Sequence, residues 1–168
     1  LTSVPSSALA DMIRTAKERW PLTKLFVIPI PVQGEVAKKI QSVLRSLSNQ
    51  LHANQIEVLV LARGGGSRED LMVFDNEDLC RQLADYPIPV VTGIGHEDDL
   101  TVADLVVDHR AATPTAAIVD LLPSRNFEKI NFMQTKKMLK DDFQFFFKNE
   151  KNFITTKKTF LQLHSPQR

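Results

Sequence analysis

The sequence predicts an α/β fold: a Rossmann-like parallel sheet flanked by helices, followed by a long C-terminal helical, coiled-coil-like arm. Three observations carry that expectation. Apolar, β-branched runs alternate with amphipathic stretches, the pattern of parallel strands joined by helical crossovers. Two of those runs lead into glycine-containing loops, where an open α/β sheet holds its ligand. Beyond Pro123, glycine and proline vanish until Pro166, and apolar residues recur every seven positions.

Residues 3–7 read as a loop whose serines can cap a helix over residues 8–20, and Pro21 stops that helix. Residues 25–30 form a short apolar run expected as a strand, at an edge or ending early because Pro29 lacks a backbone donor. Val36, Ile40, Val43, Leu44, Leu47 and Leu51 follow helical spacing, which predicts an amphipathic helix over residues 35–52. Residues 56–62 are the clearest strand, apolar enough to be covered on both faces. A helix is expected over residues 68–85, a third strand over residues 87–91, and a helix over residues 98–107. Thr113 followed by Pro114 has the form of a cap and a first helical residue.

The division expected is an α/β domain over residues 1–123 and an extended arm for subunit association over residues 124–168. In the arm, Phe132, Leu139, Phe146, Phe153 and Phe160 make the seven-residue repeat, and Met133, Phe147, Ile154 and Leu161 widen it. As one helix it would be on the order of 60 Å long, at about 1.5 Å per residue. Such a stripe needs a partner: its own return, another copy, or a second protein. Folding back onto the domain is the plainer alternative.

Of 21 Lys/Arg and 20 Asp/Glu, ten and four fall in residues 125–168, so the arm is basic and the remainder acidic. A basic arm suits contact with a polyanion, and equally a solvated lysine-rich face. With 43% hydrophobic and 24% charged residues, the composition is that of a soluble globular protein. No apolar run approaches the roughly 18–20 residues that span a bilayer, and no signal peptide is visible, so no membrane role and a cytoplasmic location are expected. The single Cys80 excludes an internal disulfide and is expected to pack rather than react. Leu1 is not a methionine, which suggests a fragment of a longer chain.

Two loops carry the candidate chemistry. In Arg63-Gly64-Gly65-Gly66-Ser67, side-chain-free amides can approach an anion. Arg63 can offer a fork to phosphate oxygens, and Ser67 can cap the next helix. The loop lacks the Gly-Lys-Ser/Thr of a Walker A element and the spacing of a dinucleotide fingerprint, and a glycine run is often only a tight turn. In the second loop, His96 sits among Glu97, Asp98 and Asp99. A neighbouring carboxylate can fix the tautomer of a histidine for acid–base work. The same residues could make a plain acidic turn or a site for Mg²⁺ or Mn²⁺. Asp104, Asp108 and Arg110 follow, and an Asp–Arg pair among them is expected as a structural salt bridge.

With these residues in hand, the chain resembles the large subunit of exonuclease VII, from about Thr2 to the end. The resemblance rests on Thr2-Ser3 leading to Asp11, Pro31-Val-Gln-Gly34, Arg63-Gly-Gly-Gly-Ser-Arg-Glu-Asp-Leu71, Phe74-Asp-Asn-Glu77 and Gly95-His-Glu-Asp-Asp-Leu-Thr101. Asp104, Asp108, Arg110, Ala111 and Thr113-Pro114 complete it. It implies a processive exodeoxyribonuclease that hydrolyses single-stranded DNA from either end to short oligonucleotides. It implies catalytic positions at Asp11, Arg63, His96 and Asp99, with Arg63, Gly64, Gly65, Gly66 and Ser67 on phosphate. It also implies an upstream OB-fold domain, a helical arm that binds copies of a small helical subunit, and self-association through that arm. No metal is required by this resemblance, although the carboxylates could bind Mg²⁺. Departures are Asp98 where the family has threonine, Ala112 where it has proline, and Pro5-Ser6 where it has Thr-Gly. Two alternatives remain open: a non-catalytic phosphate-binding scaffold that recruits partners through the arm, and a small-nucleotide binder.

Overall fold

The computed structural model describes residues 1–164. The chain forms two compact units, Leu1–Ser124 and the stretch from Arg125 onward. In the first, helix α1 (Ser7–Arg19) starts where the Ser6 side chain accepts the Leu9 N–H. Helix α2 (Val36–Ser48) buries Val36, Ile40, Leu44 and Leu47, the face that its apolar spacing marks. A one-turn helix α3 (Leu51–Asn54) ends on left-handed Gln55 (φ 53°). Strand β1 (Leu59–Arg63) leads through the glycine loop to helix α4 (Arg68–Leu71), a 3₁₀ turn (Met72–Asp75) and helix α5 (Glu77–Ala84). Strand β2 (Val90–Ile94), helix α6 (Val102–Val106), strand β3 (His109–Arg110) and helix α7 (Pro114–Leu121) complete the unit.

The sheet has the order β1-β2-β3 and both pairings are parallel, as the alternation of runs predicts. Register runs from Leu59↔Val90 to Arg63↔Ile94, so β1 and β2 finish side by side. Successive β1 side chains serve opposite faces. Leu59 and Leu61 pack with Ile40, Leu44, Phe74, Leu79, Leu83, Val90 and Ile94. On the other face, Ala62 packs with Met12, Ala16 and Ile118, while Val91 packs with Ala111 and Ala117. β2 is buried along its whole length. Each aliphatic side chain so buried contributes roughly 1.5–3 kcal/mol, and this two-faced core holds the strand ends in place.

Several elements differ from expectation. The strand expected over residues 25–30 is only a parallel bridge, Thr2↔Pro29. Leu25, Phe26 and Val27 are about half exposed, so this run lacks the burial that would make it a sheet strand. The third strand lies at Val90–Ile94, displaced toward the loop because Pro87 and Pro89 lack donors for its start. The actual third member of the sheet is β3, two residues long. The helix expected over residues 68–85 breaks at Asn76, whose side chain accepts the Leu79 N–H and caps α5. The helix expected over residues 98–107 is confined to α6, because Thr101 and Asp104 close a capping box there. The long helix expected after Ser124 is one element, α8 (Arg125–His164, 40 residues), with no buried residue. The last part of the predicted arm, residues 165–168, lies outside the described residues.

Candidate active site

The two loops meet because β1 and β2 end together. The Gly95 N–H donates to the Arg63 carbonyl at 3.0 Å, extending the ladder one step past the strands. Gly95 then turns with φ +68°. A Cβ at this position would lie 2.8 Å from Asp99 Cγ, so a side chain here would meet both backbone strain and the Asp99 carboxyl group. In the space left open, Asp99 Oδ2 accepts the His96 backbone N–H at 2.8 Å, and the Asp99 N–H donates to the His96 carbonyl at 3.0 Å. The same carboxylate oxygen stands 3.7 Å from His96 Nδ1, an ion pair when the imidazole is protonated. The imidazole is 76% exposed and Asp99 only 29%, so the ring faces solvent over a half-buried carboxylate.

The glycine loop supplies the opposite wall. A Cβ at Gly65 would sit 2.6 Å from His96 Cε1, which puts the imidazole directly over this residue. A Cβ at Gly66 would lie 3.5 Å from Arg63 Nη2 and 3.0 Å from Asp70 Oδ2, and one at Gly64 would touch Ala8 of α1 at 3.4 Å. The imidazole thus lies over Gly65 and the guanidinium near Gly66, the next residue of the loop. Arg63 makes no ion pair among the described residues. Ser67 does cap α4: its hydroxyl accepts the Asp70 N–H, and its own N–H donates to Asp70 Oδ2 at 3.2 Å. That carboxylate already occupies the first turn of a four-residue helix, so Arg63 and the glycine amides are the groups left to meet an anion. Glu69 is held below the ordinary glutamate range by its own backbone N–H first and the Ser67 hydroxyl second.

Asp11 lies one turn beyond Ala8 on the same side of α1. It is bound to Arg14 at 2.8 Å and about half exposed. The structure therefore sets His96 against Gly65 and Asp99, and Arg63 Nη2 near Gly66, with Asp11 on the helix that Gly64 approaches. Among the described residues, no three His, Cys, Asp or Glu side chains lie together as ligands for one metal ion.

Downstream, the expected Asp–Arg salt bridge is absent, because both residues bond backbone instead. Asp108 Oδ2 accepts the Val90 N–H at 2.8 Å. Arg110 Nη2 donates to the carbonyls of Glu97 at 2.7 Å and Asp99 at 2.9 Å. Asp104 completes the capping box with Thr101, and Asp75 accepts the Val102 N–H at 2.7 Å. Arg110 and Asp75 are thus two loop-holding residues whose roles sequence reasoning did not assign. Their partners are main-chain atoms 11 to 27 residues away, which leave no side-chain pattern to read.

A parallel sheet with a guanidinium, a glycine run and a His–Asp pair beyond adjacent strand ends defines an α/β domain whose polar site suits an anion. The sequence matches the family described as exonuclease VII, large subunit, over residues 1–168, and the chain belongs to that family. It is similar to the exodeoxyribonuclease 7 large subunit of Parasynechococcus marenigrum (strain WH8102), 59% identical over all of this chain and 43% of that relative. That of Synechococcus sp. (strain CC9605) is 61% identical over 99% of this chain and 43% of the relative. That of Legionella pneumophila (strain Paris) is 43% identical over 80% of this chain and 30% of the relative. The chain therefore spans less than half the length of these relatives.

Proposed function

We propose that this chain carries the catalytic site of an exodeoxyribonuclease that hydrolyses phosphodiester bonds of single-stranded DNA from either end, releasing short oligonucleotides. The observation that carries the reading is the placement of the His96 imidazole on Gly65, in a loop whose next residue, Gly66, lies near the Arg63 guanidinium, which makes no ion pair among the described residues. A phosphate lodged on the glycine amides would meet a guanidinium suited to the charge on its non-bridging oxygens. His96 would take a proton from water as the water oxygen bonds to phosphorus and the bond to the leaving oxygen breaks. The leaving oxygen would end protonated, taking that proton from the His96 imidazolium or from solvent, with Asp11 on the neighbouring helix the candidate complementary acid/base. His96 as direct nucleophile uses the same geometry. Asp99 would orient the imidazole through the Nδ1 side, a contact that can tighten when substrate binds.

The arm fits the rest of the proposal. A basic helix with an exposed apolar stripe suits a small helical subunit and self-association, as family membership suggests. Among the described residues, no helix is long and apolar enough to cross a membrane, in keeping with the proposed cytoplasmic location. The decisive assay measures cleavage of single-stranded DNA by the full-length protein with its small subunit, comparing wild type with His96→Ala and Arg63→Ala. Losses of about 10³-fold in kcat are expected for each, the scale of removing a general base or a charge-stabilising donor. Wild-type turnover in both variants would sink the assignment. DNA binding without turnover in any form, with or without Mg²⁺, would favour the scaffold reading instead. Repeating the wild-type assay in excess EDTA tests the expectation that no metal is required: retained turnover supports it, and loss restored by Mg²⁺ overturns it.

A further inference from the structure

We propose that Arg110 is a positioning residue for the same site, holding the His96 loop in its working form through backbone carbonyls. This rests on the nuclease reading of the two loops. Between buried Gly95 and buried Thr101, residues 96–98 and Leu100 are exposed and Asp99 is half-buried. Little apolar burial fixes this turn, so its shape depends on polar bonds. On the upstream side, Gly95 is tied to the Arg63 carbonyl. On the downstream side, Arg110 Nη2 ties the Glu97 and Asp99 carbonyls, at 2.7 and 2.9 Å.

Arg110 itself is placed by the sheet. β3 pairs with β2 at Thr92↔Arg110, and the Ala111 N–H donates to the Thr92 carbonyl at 2.9 Å. A charged donor on the third strand thus grips the loop that leaves the second. By fixing the main chain at Asp99 it fixes the origin of the carboxylate that meets the His96 N–H and faces its ring. The carbonyls of Glu97 and Asp99 are indifferent to side-chain identity, so the grip does not depend on which residue stands at position 98. Both bonds leave one nitrogen, Nη2, whose direction is set by the guanidinium plane; a lysine ammonium keeps the charge without that fixed direction.

The test combines turnover with a readout that stability alone does not move. In full-length protein with its small subunit, Arg110→Met is expected to lower kcat about 10²-fold and leave KM within about twofold. In this 168-residue chain, hydrogen exchange at the His96 amide is expected to accelerate at least about tenfold, with amides of β2 unchanged. Should Arg110→Met fail to fold, Arg110→Lys carries the test, with smaller changes in the same directions. Wild-type exchange at the His96 amide, in whichever variant folds, overturns the proposal. The two readings separate cleanly. If His96→Ala keeps full turnover, the nuclease site is misassigned, and amide exchange alone then decides whether Arg110 clamps the loop.

Discussion

Glycines 65 and 93 differ in what a methyl group would meet, and this separates effects on chemistry from effects on stability. At Gly93 the obstacle is backbone: the Thr113 carbonyl at 2.8 Å and Pro114 Cα at 2.9 Å, where α7 starts. Neither can step aside cheaply, so Gly93→Ala is expected to cost about 1–3 kcal/mol, the usual range for overpacking, read from the urea unfolding midpoint. At Gly65 the obstacle is the end of the exposed His96 side chain. Gly65→Ala should leave that midpoint nearly unchanged but lower turnover by about 10²-fold, since small misplacements of a reacting group cost that much. Full turnover in Gly65→Ala would detach the His96–Gly65 contact from function. Cys80 makes a further residue-scale case: it is buried, its thiol donates to the Phe74 carbonyl at 3.3 Å, and burial pushes its pKa up. It should stay unreactive toward a thiol reagent at neutral pH in the native state and react on unfolding. That the His96 and Arg63 loops would meet was legible, because each sits inside a short motif at a strand end. The bonds of Arg110 to that loop were not, because they exist only once β3 lies beside β2.

At the scale of elements, burial rather than propensity decided what the sequence could reveal. The run at residues 56–62 reads as a strand because its neighbours on both faces are apolar, and β1 lies within or beside it. The equally apolar run at residues 25–30 remains half exposed and pairs only near its end. β3 has no apolar signature at all, and it exists because backbone groups of β2 needed partners. Short helices were misjudged in length for a different reason: their ends are set by side-chain caps. The Thr101 hydroxyl donates to Asp104 Oδ2 at 2.8 Å, and both residues are buried. Thr101→Ala removes that donor and leaves Asp104, whose Oδ1 has no hydrogen-bond partner among the described residues, with one fewer. A loss of about 2 kcal/mol is expected, at the upper end for a cap, with Thr101→Ser restoring most of it in the same denaturant titration.

At the scale of the whole molecule, the two units differ in what holds them together. Leu1–Ser124 has a two-faced core, whereas α8 presents every large apolar side chain at 54–76% exposure. The seven-residue repeat runs along one side, but Phe145 points roughly opposite Phe143 and Phe147 at about 100° per residue. Apolar surface on both sides calls for more than one partner helix, which a repeat read as a single seam did not convey. An isolated helix draws most of its stability from packing, so α8 should gain its stability by association. A chain ending at Ser124 should therefore keep the unfolding free energy of the α/β unit to within about 0.5 kcal/mol, the range of surface changes. In the intact chain, the helical signal of the arm should melt in its own transition, at a temperature that rises with protein concentration or added small subunit. Circular dichroism over a concentration series, with sedimentation to report the assembly state, makes the measurement. A single concentration-independent transition that is lost on removing residues 125–168 would mean that the arm belongs to the core of the α/β unit.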